Sequence, residues 1–355
     1  MSATTAVPSS APASTSEPIL AVRELRTHFE QRHATVKAVD GVSFELQAGE
    51  TVGLVGESGS GKSVTGYSLL GLIDPPGRIV SGSVRLAGEE LVGRSVAGLR
   101  AVRGRHLAMI FQDPMATLNP VLTVGAQMQL ALQAHGPVPP AQARARCIEV
   151  LRQVGIPDPE RRLAAWPHQF SGGMRQRVAI AIALLHKPRV IVADEPTTAL
   201  DVSIQAQILS EIHQLVRDSS TALLWISHDL ATVAAIARRV LVMYAGRIVE
   251  EGPTRAVLKS PRHPYTAGLL ASLPQSSRPG QPLVQIPGAP PPLDALPAGC
   301  SFADRCAHAR ERCREQAPPR IGEGERAWRC HFPLEVSREP RIVPVVAFEP
   351  MGSPP

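Results

Sequence analysis

The stretch that decides the fold reads TVGLVGESGSGKS and spans residues 51–63. Its last eight residues match G-x-x-x-x-G-K-[ST], the phosphate-binding loop called Walker A. The apolar run 51–55 precedes the loop, and residues 64–72 can form a helix after it. This strand–loop–helix order is the context in which the motif binds phosphate. Its glycines let backbone N–H groups point inward, and the helix N-terminus adds partial positive charge.

The loop predicts a nucleotide site with a metal ion. Lys62 is expected to reach the β- and γ-phosphates of ATP, and Ser63 to bind Mg²⁺. A glycine-rich turn could match the pattern by chance, so a second motif has to support it. The residues predicted to bind ATP here are Gly56, Glu57, Ser58, Gly59, Ser60, Gly61, Lys62, Ser63 and Val64.

The second motif is RVIVADEPTTALD at residues 189–201. Residues 190–193 form a continuous apolar run, which is typical of a strand buried on both faces of a parallel sheet. Pro196 predicts that the strand ends near two adjacent carboxylates. Asp194 is then expected to hold Mg²⁺ through its water shell, and Glu195, just past the strand, to orient or deprotonate an attacking water. The alternative is a solvated acidic turn.

Residues 170–177, FSGGMRQR, lie between these two motifs. A serine and two glycines before a small apolar helix are suited to bind an anion at the helix N-terminus. The segment resembles the signature motif of ATP-binding-cassette (ABC) ATPases, although Phe170 and Met174 replace the usual Leu and Gln. The resemblance implies that Ser171, Gly172 and Gly173 contact ATP held by the phosphate loop of a second subunit in a head-to-tail dimer.

Three more matches follow the order of this family. Gln112 resembles the Q-loop glutamine, which implies a role in catalysis, in Mg²⁺ binding and in facing the transmembrane partner. Residues 199–201 resemble the D-loop, and His228 resembles the switch histidine that contacts the γ-phosphate. The predicted catalytic residues are therefore Glu195, His228, Gln112 and Lys62. Phe29 is the best candidate for stacking on adenine, with a core phenylalanine as the alternative.

The order of motifs predicts an α/β fold of the P-loop NTPase type. The resemblance implies an ABC cassette with a RecA-like core, an antiparallel β subdomain and a helical subdomain, followed by a small Pro-rich, Cys-rich C-terminal module. Residues 1–17 are rich in Ala, Ser, Thr and Pro and are expected to be a disordered tail. The predicted boundaries are 18–255 for the ATPase, with 113–170 as the helical subdomain, 256–340 for the module and 341–355 for a tail.

The composition changes after about residue 260. Ten of the residues 261–299 are proline, which predicts a stretch largely unable to form regular helix or sheet. It begins SPRHPYT at residues 260–266, with leucines at 269, 270 and 273. This pattern resembles the C-terminal extension of the oligopeptide and dipeptide branch of ABC importers. A proline-rich linker without a specific role is the alternative.

Four of the five cysteines lie near the C-terminus: Cys300, Cys306, Cys313 and Cys330. Disulfides are disfavoured in a reducing cytoplasm. Their spacing leaves zinc and an iron–sulfur cluster open, with His308 and His331 as further possible zinc ligands. The resemblance of the local sequence to the peptide-importer branch implies a [4Fe–4S] cluster held by the four cysteines. We expect its role to be structural, because a small proline-rich segment lacks a core.

Charge and hydropathy limit the functional classes. The net charge is +6, but aromatic residues make up only 4% of the chain, and no basic stripe interleaved with aromatics is present, so no nucleic-acid partner is expected. The longest apolar stretches, such as 178–185, fall far short of the ~20 residues of a membrane span. We expect a peripheral protein at the cytoplasmic face of the inner membrane.

The resemblance covers about residues 18–335 and implies an ATPase subunit of a peptide importer. The variant signature and the run LNPVLTVG at residues 118–125 look more like the first of the two ATPase subunits of such importers. The implied partners are a second, different ATPase subunit, two transmembrane permease subunits and an extracytoplasmic solute-binding protein. The alternatives are an importer of nickel or another small solute, and a soluble ABC ATPase outside transport.

Overall fold

The structure is a computed structural model that describes residues 17–197, 202–274 and 284–335. The described strands are β1 (Leu20–Glu30), β2 (Thr35–Leu46), β3 (Thr51–Val55), β4 (Gly77–Leu86), β5 (Glu89–Glu90), β6 (Leu107–Ile110), β7 (Val190–Asp194), β8 (Ala222–Ser227), β9 (Arg239–Tyr244), β10 (Arg247–Pro253), β11 (Ile321–Glu323) and β12 (Arg326–Trp328). The described helices are α1 (Lys62–Leu70), α2 (Val96–Val102), α3 (Pro114–Thr117), α4 (Val124–Gln133), α5 (Pro140–Gln153), α6 (Pro159–Arg162), α7 (Gly172–Leu184), α8 (Val202–Ser219), α9 (Leu230–Ile236), α10 (Thr254–Lys259), α11 (Pro264–Ala271) and α12 (Glu311–Glu315).

The larger sheet positions the predicted nucleotide site. Its strand order is β11-β12-β10-β9-β3-β8-β7-β6, and the five strands from β9 to β6 run parallel to one another. The carboxyl ends of parallel strands meet at one edge, which is where α/β folds of this type bind ligands. The phosphate loop follows β3, the two carboxylates follow β7, and His228 follows β8. The sheet therefore gathers three of the predicted motifs at one edge.

Two apolar clusters cover opposite faces of this sheet. Val192 of β7 belongs to the cluster that includes Val22 of the smaller sheet, whereas Ile191 and Ala193 belong to the cluster that includes residues of the helices. Residues of β7 and β8 are buried along the whole of both strands. The continuous apolar runs of these strands are explained by this two-sided burial.

The remaining parts of the cassette are an antiparallel sheet and a group of short helices. The sheet has the order β2-β1-β4-β5. Helices α3 to α6 all fall between residues 113 and 170, and α4 and α5 pack on each other and on α7. The predicted fold class, a parallel α/β core with an antiparallel β part and a helical part, is confirmed by this arrangement.

The C-terminal module shares a sheet with the cassette. Strand β12 pairs antiparallel with β10, with Glu250 opposite Trp328, and β11 pairs with β12. The Glu250 side chain is fully buried and accepts hydrogen bonds from the backbone N–H groups of Arg262 and His263, each at 2.8 Å. Nη2 of Arg326 donates to the same carboxylate at 3.0 Å.

One prediction for the proline-rich stretch is wrong. Residues 264–271 form helix α11 instead of an extended segment. Pro264 occupies the first helical turn, where its missing N–H is not needed, and Nδ1 of His263 caps the helix by accepting from the N–H of Tyr265 at 3.0 Å. The described residues 284–299 contain neither helix nor strand, in agreement with the prediction.

None of the described helices is both long enough and apolar enough to cross a bilayer.

Candidate functional site

The phosphate loop has a backbone that only glycine allows at two positions. Gly61 has φ of 100°, and a Cβ there would lie 2.1 Å from the carbonyl oxygen of Ala38. A Cβ at Gly56 would lie 2.2 Å from the carbonyl oxygen of Met243. One side of the loop therefore packs closely against the backbone of β2 and β9. Ser58 and Gly59 are exposed on the other side, where a ligand can approach.

Lys62 is buried and directed into the loop. Its Nζ donates to the carbonyl oxygens of Gly56 at 2.8 Å and Glu57 at 3.0 Å. Burial lowers the pKa of Lys62, against the opposing effect of nearby carboxylates, with Glu195 the largest. Phosphate oxygens are stronger acceptors than carbonyls for an ammonium group, so the side chain is placed to exchange these bonds for a bound phosphate.

Ser63 and Asp194 form the candidate Mg²⁺ site. The Ser63 hydroxyl donates to Oδ1 of Asp194 at 3.0 Å, whereas Oδ2 of Asp194 is buried without a hydrogen-bond partner. Burial raises the pKa of Asp194 to about 6, and the charge of Glu195 adds to this effect. A buried carboxylate oxygen without a donor is unfavourable unless a cation or a water binds it. The donor set therefore fits Mg²⁺, which prefers oxygen ligands.

Glu195 lies one residue past the end of β7 and contacts two of the three other predicted catalytic side chains. Nε2 of Gln112 donates to its Oε2 at 3.3 Å, and Nδ1 of His228 lies 3.1 Å from the same oxygen. The Glu195 backbone has φ of 44°, which is uncommon for a residue other than glycine. Its N–H donates to the carbonyl oxygen of Ile226 at 3.0 Å, which fixes this conformation against β8.

The signature segment starts a helix, as expected. Ser171 is the N-cap of α7, and its Oγ accepts from the N–H of Met174 at 3.3 Å. Ser171 and Gly172 are exposed, and Gly173 is half-buried. Among the described residues, the hydrogen bonds of Ser171 stay within its own helix and do not reach the phosphate loop.

The prediction of adenine stacking concerns Phe29. Phe29 lies half-buried in β1, and its ring covers Gly77 of β4, where a Cβ would come within 2.5 Å of the ring. Its predicted role in adenine stacking stays a prediction.

The D-loop match at residues 199–201 lies outside the described residues. Ser60 is buried, with an Oγ that has no hydrogen-bond partner, and Val64 is the third residue of α1.

The four C-terminal cysteines surround one small cavity. It has a volume of about 20 Å³, and its lining includes Cys300, Cys306, Cys313, Cys330, Phe302 and Phe332. All four thiols are free, and burial raises the pKa of the Cys330 thiol to about 11. Within the described residues, no group of three or more His, Cys, Asp or Glu side chains is arranged to hold a metal ion. Cys147, the fifth cysteine, is buried in α5.

Sequence reasoning missed a second set of residues at the phosphate loop. Both carboxylate oxygens of Glu57 accept from the guanidinium of Arg305, at 2.6 and 2.9 Å. The N–H of Glu57 donates to the hydroxyl of Tyr265 at 2.9 Å. The HPYT pattern marked Tyr265 as part of an extension, but nothing in the sequence indicated that it reaches a loop 208 residues away.

Comparison with known proteins agrees with this geometry. A model of the ABC transporter family matches residues 39–198, and a model of the oligopeptide/dipeptide transporter C-terminal region matches residues 249–313. The dipeptide transport ATP-binding protein DppD of Escherichia coli K12 is 44% identical over 326 residues, which cover 91% of this chain and 99% of that protein. The oligopeptide transport ATP-binding protein OppD of Salmonella typhimurium is 45% identical, over 89% of this chain and 94% of that protein.

A solved structure gives the same fold assignment. The ATP-binding cassette MJ0796, in a dimeric post-hydrolysis state bound to ADP and Pi, superposes with a TM-score of 0.60 at 25% sequence identity. The match covers 66% of this chain and 99% of that one.

Proposed function

We propose that this chain, which belongs to the ABC transporter family and within it to the dipeptide and oligopeptide transport ATP-binding proteins, hydrolyses ATP to drive peptide import across the cytoplasmic membrane. The observation that carries the proposal is the meeting of Gln112 and His228 at Glu195, at the sheet edge that also holds the phosphate loop. The match to the peptide-transporter C-terminal region adds the cargo class.

ATP binding would rest on the loop at residues 56–63. Its backbone N–H groups and the N-terminus of α1 supply positive potential for the β- and γ-phosphates. Lys62 would leave the carbonyls of Gly56 and Glu57 and bind the phosphates instead. Because Lys62 is already buried beside these carbonyls, little reorganisation is needed.

Ser63, Asp194 and Gln112 would hold Mg²⁺. Bound Mg²⁺ would neutralise charge on the phosphates during transfer. The buried Oδ2 of Asp194, which has no donor, is the atom that supports this assignment.

Glu195 would orient the attacking water and accept its proton. Water attacks the γ-phosphorus in line with the bond to the β–γ bridging oxygen, and the products are ADP and phosphate. His228 and Gln112 both contact Oε2 of Glu195, so they can keep the carboxylate pointed at the water. The His228 side chain, which is 53% exposed, would also contact the γ-phosphate.

A complete ATP site would need a second subunit. The exposed Ser171 and Gly172 at the start of α7 would bind ATP held by the partner's phosphate loop. The dimeric state of the similar cassette MJ0796 supports such an assembly. We infer that the preferred mate is a different ATPase subunit, because the signature segment of this chain carries Met174 where the family has glutamine.

Membrane attachment would come through partner subunits. Met115 and Val121 follow Gln112 closely in the chain and are 56% and 77% exposed, so they offer apolar contacts for a permease subunit. Two permease subunits and an extracytoplasmic binding protein complete the proposed importer, and the chain would lie peripherally at the cytoplasmic face of the inner membrane.

The C-terminal module, proposed as residues 256–340 after an ATPase domain at 18–255, would hold a [4Fe–4S] cluster on its four cysteines. All four line one cavity with an otherwise largely apolar wall. A single zinc ion held by the same sulfurs is the alternative. The cluster would stabilise the fold of a small module that has little hydrophobic core of its own.

Elemental analysis tests the cluster. We expect protein purified without oxygen to contain iron and to absorb in the visible range. Cys313→Ser should lose the iron and lower the thermal midpoint of the module, while Cys147→Ser should keep the iron. Zinc in place of iron would overturn this part of the proposal and leave the ATPase part untouched.

Transport assays test the main function. The full complex with its permeases and binding protein should hydrolyse Mg-ATP faster when a dipeptide or oligopeptide is supplied, and Lys62→Ala should abolish hydrolysis. Stimulation by nickel and not by peptides would move the cargo to the alternative class. Equal activity of the isolated chain and the complex, without response to any solute, would instead indicate an ATPase outside transport.

A further inference from the structure

The C-terminal module makes a buried ionic contact with the phosphate loop. Arg305 lies in a short 3-10 turn, Ala303–Arg305, between Cys300 and Cys306. Its Nη1 and Nη2 donate to the two carboxylate oxygens of Glu57, so the pair is bidentate. The Arg305 side chain is only 6% exposed and that of Glu57 is 26% exposed. Such a pair fixes both orientation and distance, because two parallel hydrogen bonds must form together.

Arg305 is itself held in place by Pro287 of the module and by Tyr244 of β9. Its Nε donates to the carbonyl oxygen of Pro287 at 2.9 Å, and Nη1 also lies 3.3 Å from the hydroxyl of Tyr244. The guanidinium carbon is 5.7 Å from the centre of the Tyr244 ring. The side chain therefore has little rotational freedom, and the position of Glu57 follows from that of Arg305.

Two further contacts lie at the same end of the loop. The buried hydroxyl of Tyr265 accepts from the N–H of Glu57 at 2.9 Å. Residues 290, 291 and 293 line a small cavity together with residues 57–60, and the carbonyl oxygen of Leu293 accepts from the N–H of Lys37 at 3.0 Å. The module thus contacts the side chain and the backbone of Glu57, while the opposite end of the loop continues into α1.

These contacts involve Glu57, whose carbonyl oxygen also accepts a hydrogen bond from Lys62. Nζ of Lys62 donates to the carbonyl oxygen of Glu57, which must be released when Lys62 turns to phosphate. A loop that changed shape at that moment would lose the inward direction of its N–H groups, so an anchor on Glu57 preserves the site.

We propose that Arg305 is a positioning residue of the ATP site, which holds the phosphate loop in its binding shape through Glu57. The C-terminal extension then contributes to nucleotide binding in addition to forming a module of its own. The inference rests on the proposed function, in which this loop binds ATP.

A mutant cycle tests the proposal on the full-length chain. Arg305→Gln and Glu57→Gln should each raise the Kd for Mg-ATP about tenfold, the scale of one charged hydrogen-bonded contact. Because both variants remove the same contact, the double variant should bind no more weakly than either single variant. Arg305→Lys, which keeps the charge but not the fork, should recover part of the affinity. Binding is measured by titration calorimetry, and folding by thermal unfolding without nucleotide.

Arg320→Gln is the matched control. Arg320 pairs with Glu251 of β10 and so also links the module to the cassette, but at a residue remote in sequence from the phosphate loop. It should lower the unfolding midpoint while leaving the Kd within twofold of wild type. If Arg305 contributed only packing, Arg305→Gln would behave like Arg320→Gln, or its effect would multiply with that of Glu57→Gln. Either result would overturn the proposal.

The outcomes also separate this inference from the proposed function. If the wild-type chain and Lys62→Ala bind Mg-ATP equally, the loop is not an ATP site and the proposed function fails. If Lys62→Ala loses binding while Arg305→Gln keeps it, only the positioning role fails. Should Arg305→Gln not fold, Glu57→Gln and Arg305→Lys still measure the same contact from its two sides.

Discussion

At Glu195, both the backbone and the side chain are held in a defined conformation at the end of β7. The residue leaves the strand with a positive φ and accepts contacts from Gln112 and His228 on one oxygen. Strained backbone of this kind costs free energy and persists where surrounding structure enforces it, often at functional sites. The carboxylate is therefore held at the edge of the sheet and is not part of a solvated turn.

We expect Glu195→Gln to keep ATP binding and to lose steady-state hydrolysis. Glutamine retains the size of the side chain but cannot accept the proton of the attacking water, and losing a general base typically costs ~10²–10⁴-fold in rate. Phosphate release by the full complex measures the rate, and calorimetry measures binding. Lys62→Ala is the contrasting variant, since it should lose binding itself. Turnover of Glu195→Gln within threefold of wild type would rule out the assignment.

The parts of the site that could be predicted from sequence are those encoded locally. Lys62, Asp194 and Glu195 lie in short motifs whose spacing is set by one strand and one turn, so their placement follows from the pattern. Arg305 and Glu57 are 248 positions apart in the chain. No sequence motif links the two residues, so no pattern predicts their contact. Such a contact depends on how the C-terminal module docks, which periodicity and propensity do not specify.

At the scale of elements, helix α11 shows how a composition rule fails. Its prolines predicted an extended segment, yet Pro264 stands at the one helical position that accepts proline, next to a capping histidine. His263 is buried, and the loss of hydration lowers its pKa to about 4. Its Nδ1 must stay unprotonated to accept from the N–H of Tyr265. The N-cap of α11 therefore forms only while Nδ1 of His263 is unprotonated.

This cap gives a pH dependence with a defined sign. The unfolded chain would protonate His263 near pH 6.5, whereas the folded chain does so only near pH 4, so stability from this group is complete above pH 6.5 and is lost as pH falls towards 4. Asparagine also caps helices but does not titrate. We expect the difference in unfolding free energy between wild type and His263→Asn to change by about 3 kcal/mol over this range, to the disadvantage of wild type at low pH. Urea unfolding at several pH values measures it, and a constant difference would contradict the prediction.

The strand that leads into the phosphate loop packs against α9 without space for a side chain. A Cβ at Gly53 would lie 2.1 Å from Cγ1 of Val233. We expect Gly53→Ala to destabilise the protein by about 1–3 kcal/mol through overpacking. Val233→Ala should relieve much of this cost, so the double variant should be more stable than the sum of the single changes predicts. Urea unfolding of the four proteins would show the coupling, and strictly additive costs would argue against direct contact.

At the scale of the whole molecule, the exposed signature segment predicts that one chain holds two half-sites. ATPase activity per chain should be low for the isolated protein, rise with its concentration, and rise further with its mate and permeases. Ser171→Arg should abolish hydrolysis at the partner's phosphate loop and leave ATP binding at Lys62 unchanged, because among the described residues no hydrogen bond joins Ser171 to its own phosphate loop. The measurement is turnover across a concentration series. Full activity at high dilution would show that a single chain forms a complete site.

The pairing of β12 with β10 has a consequence for solubility. If the chain ended at residue 255, β10 would become the open edge of an eight-stranded sheet reduced to six strands, and unpaired strand edges recruit other chains. Glu250, now fully buried among three donors from later residues, would lose all of them. The isolated cassette should therefore aggregate where the full chain does not. We therefore expect β12 to prevent other chains from pairing with the edge of β10.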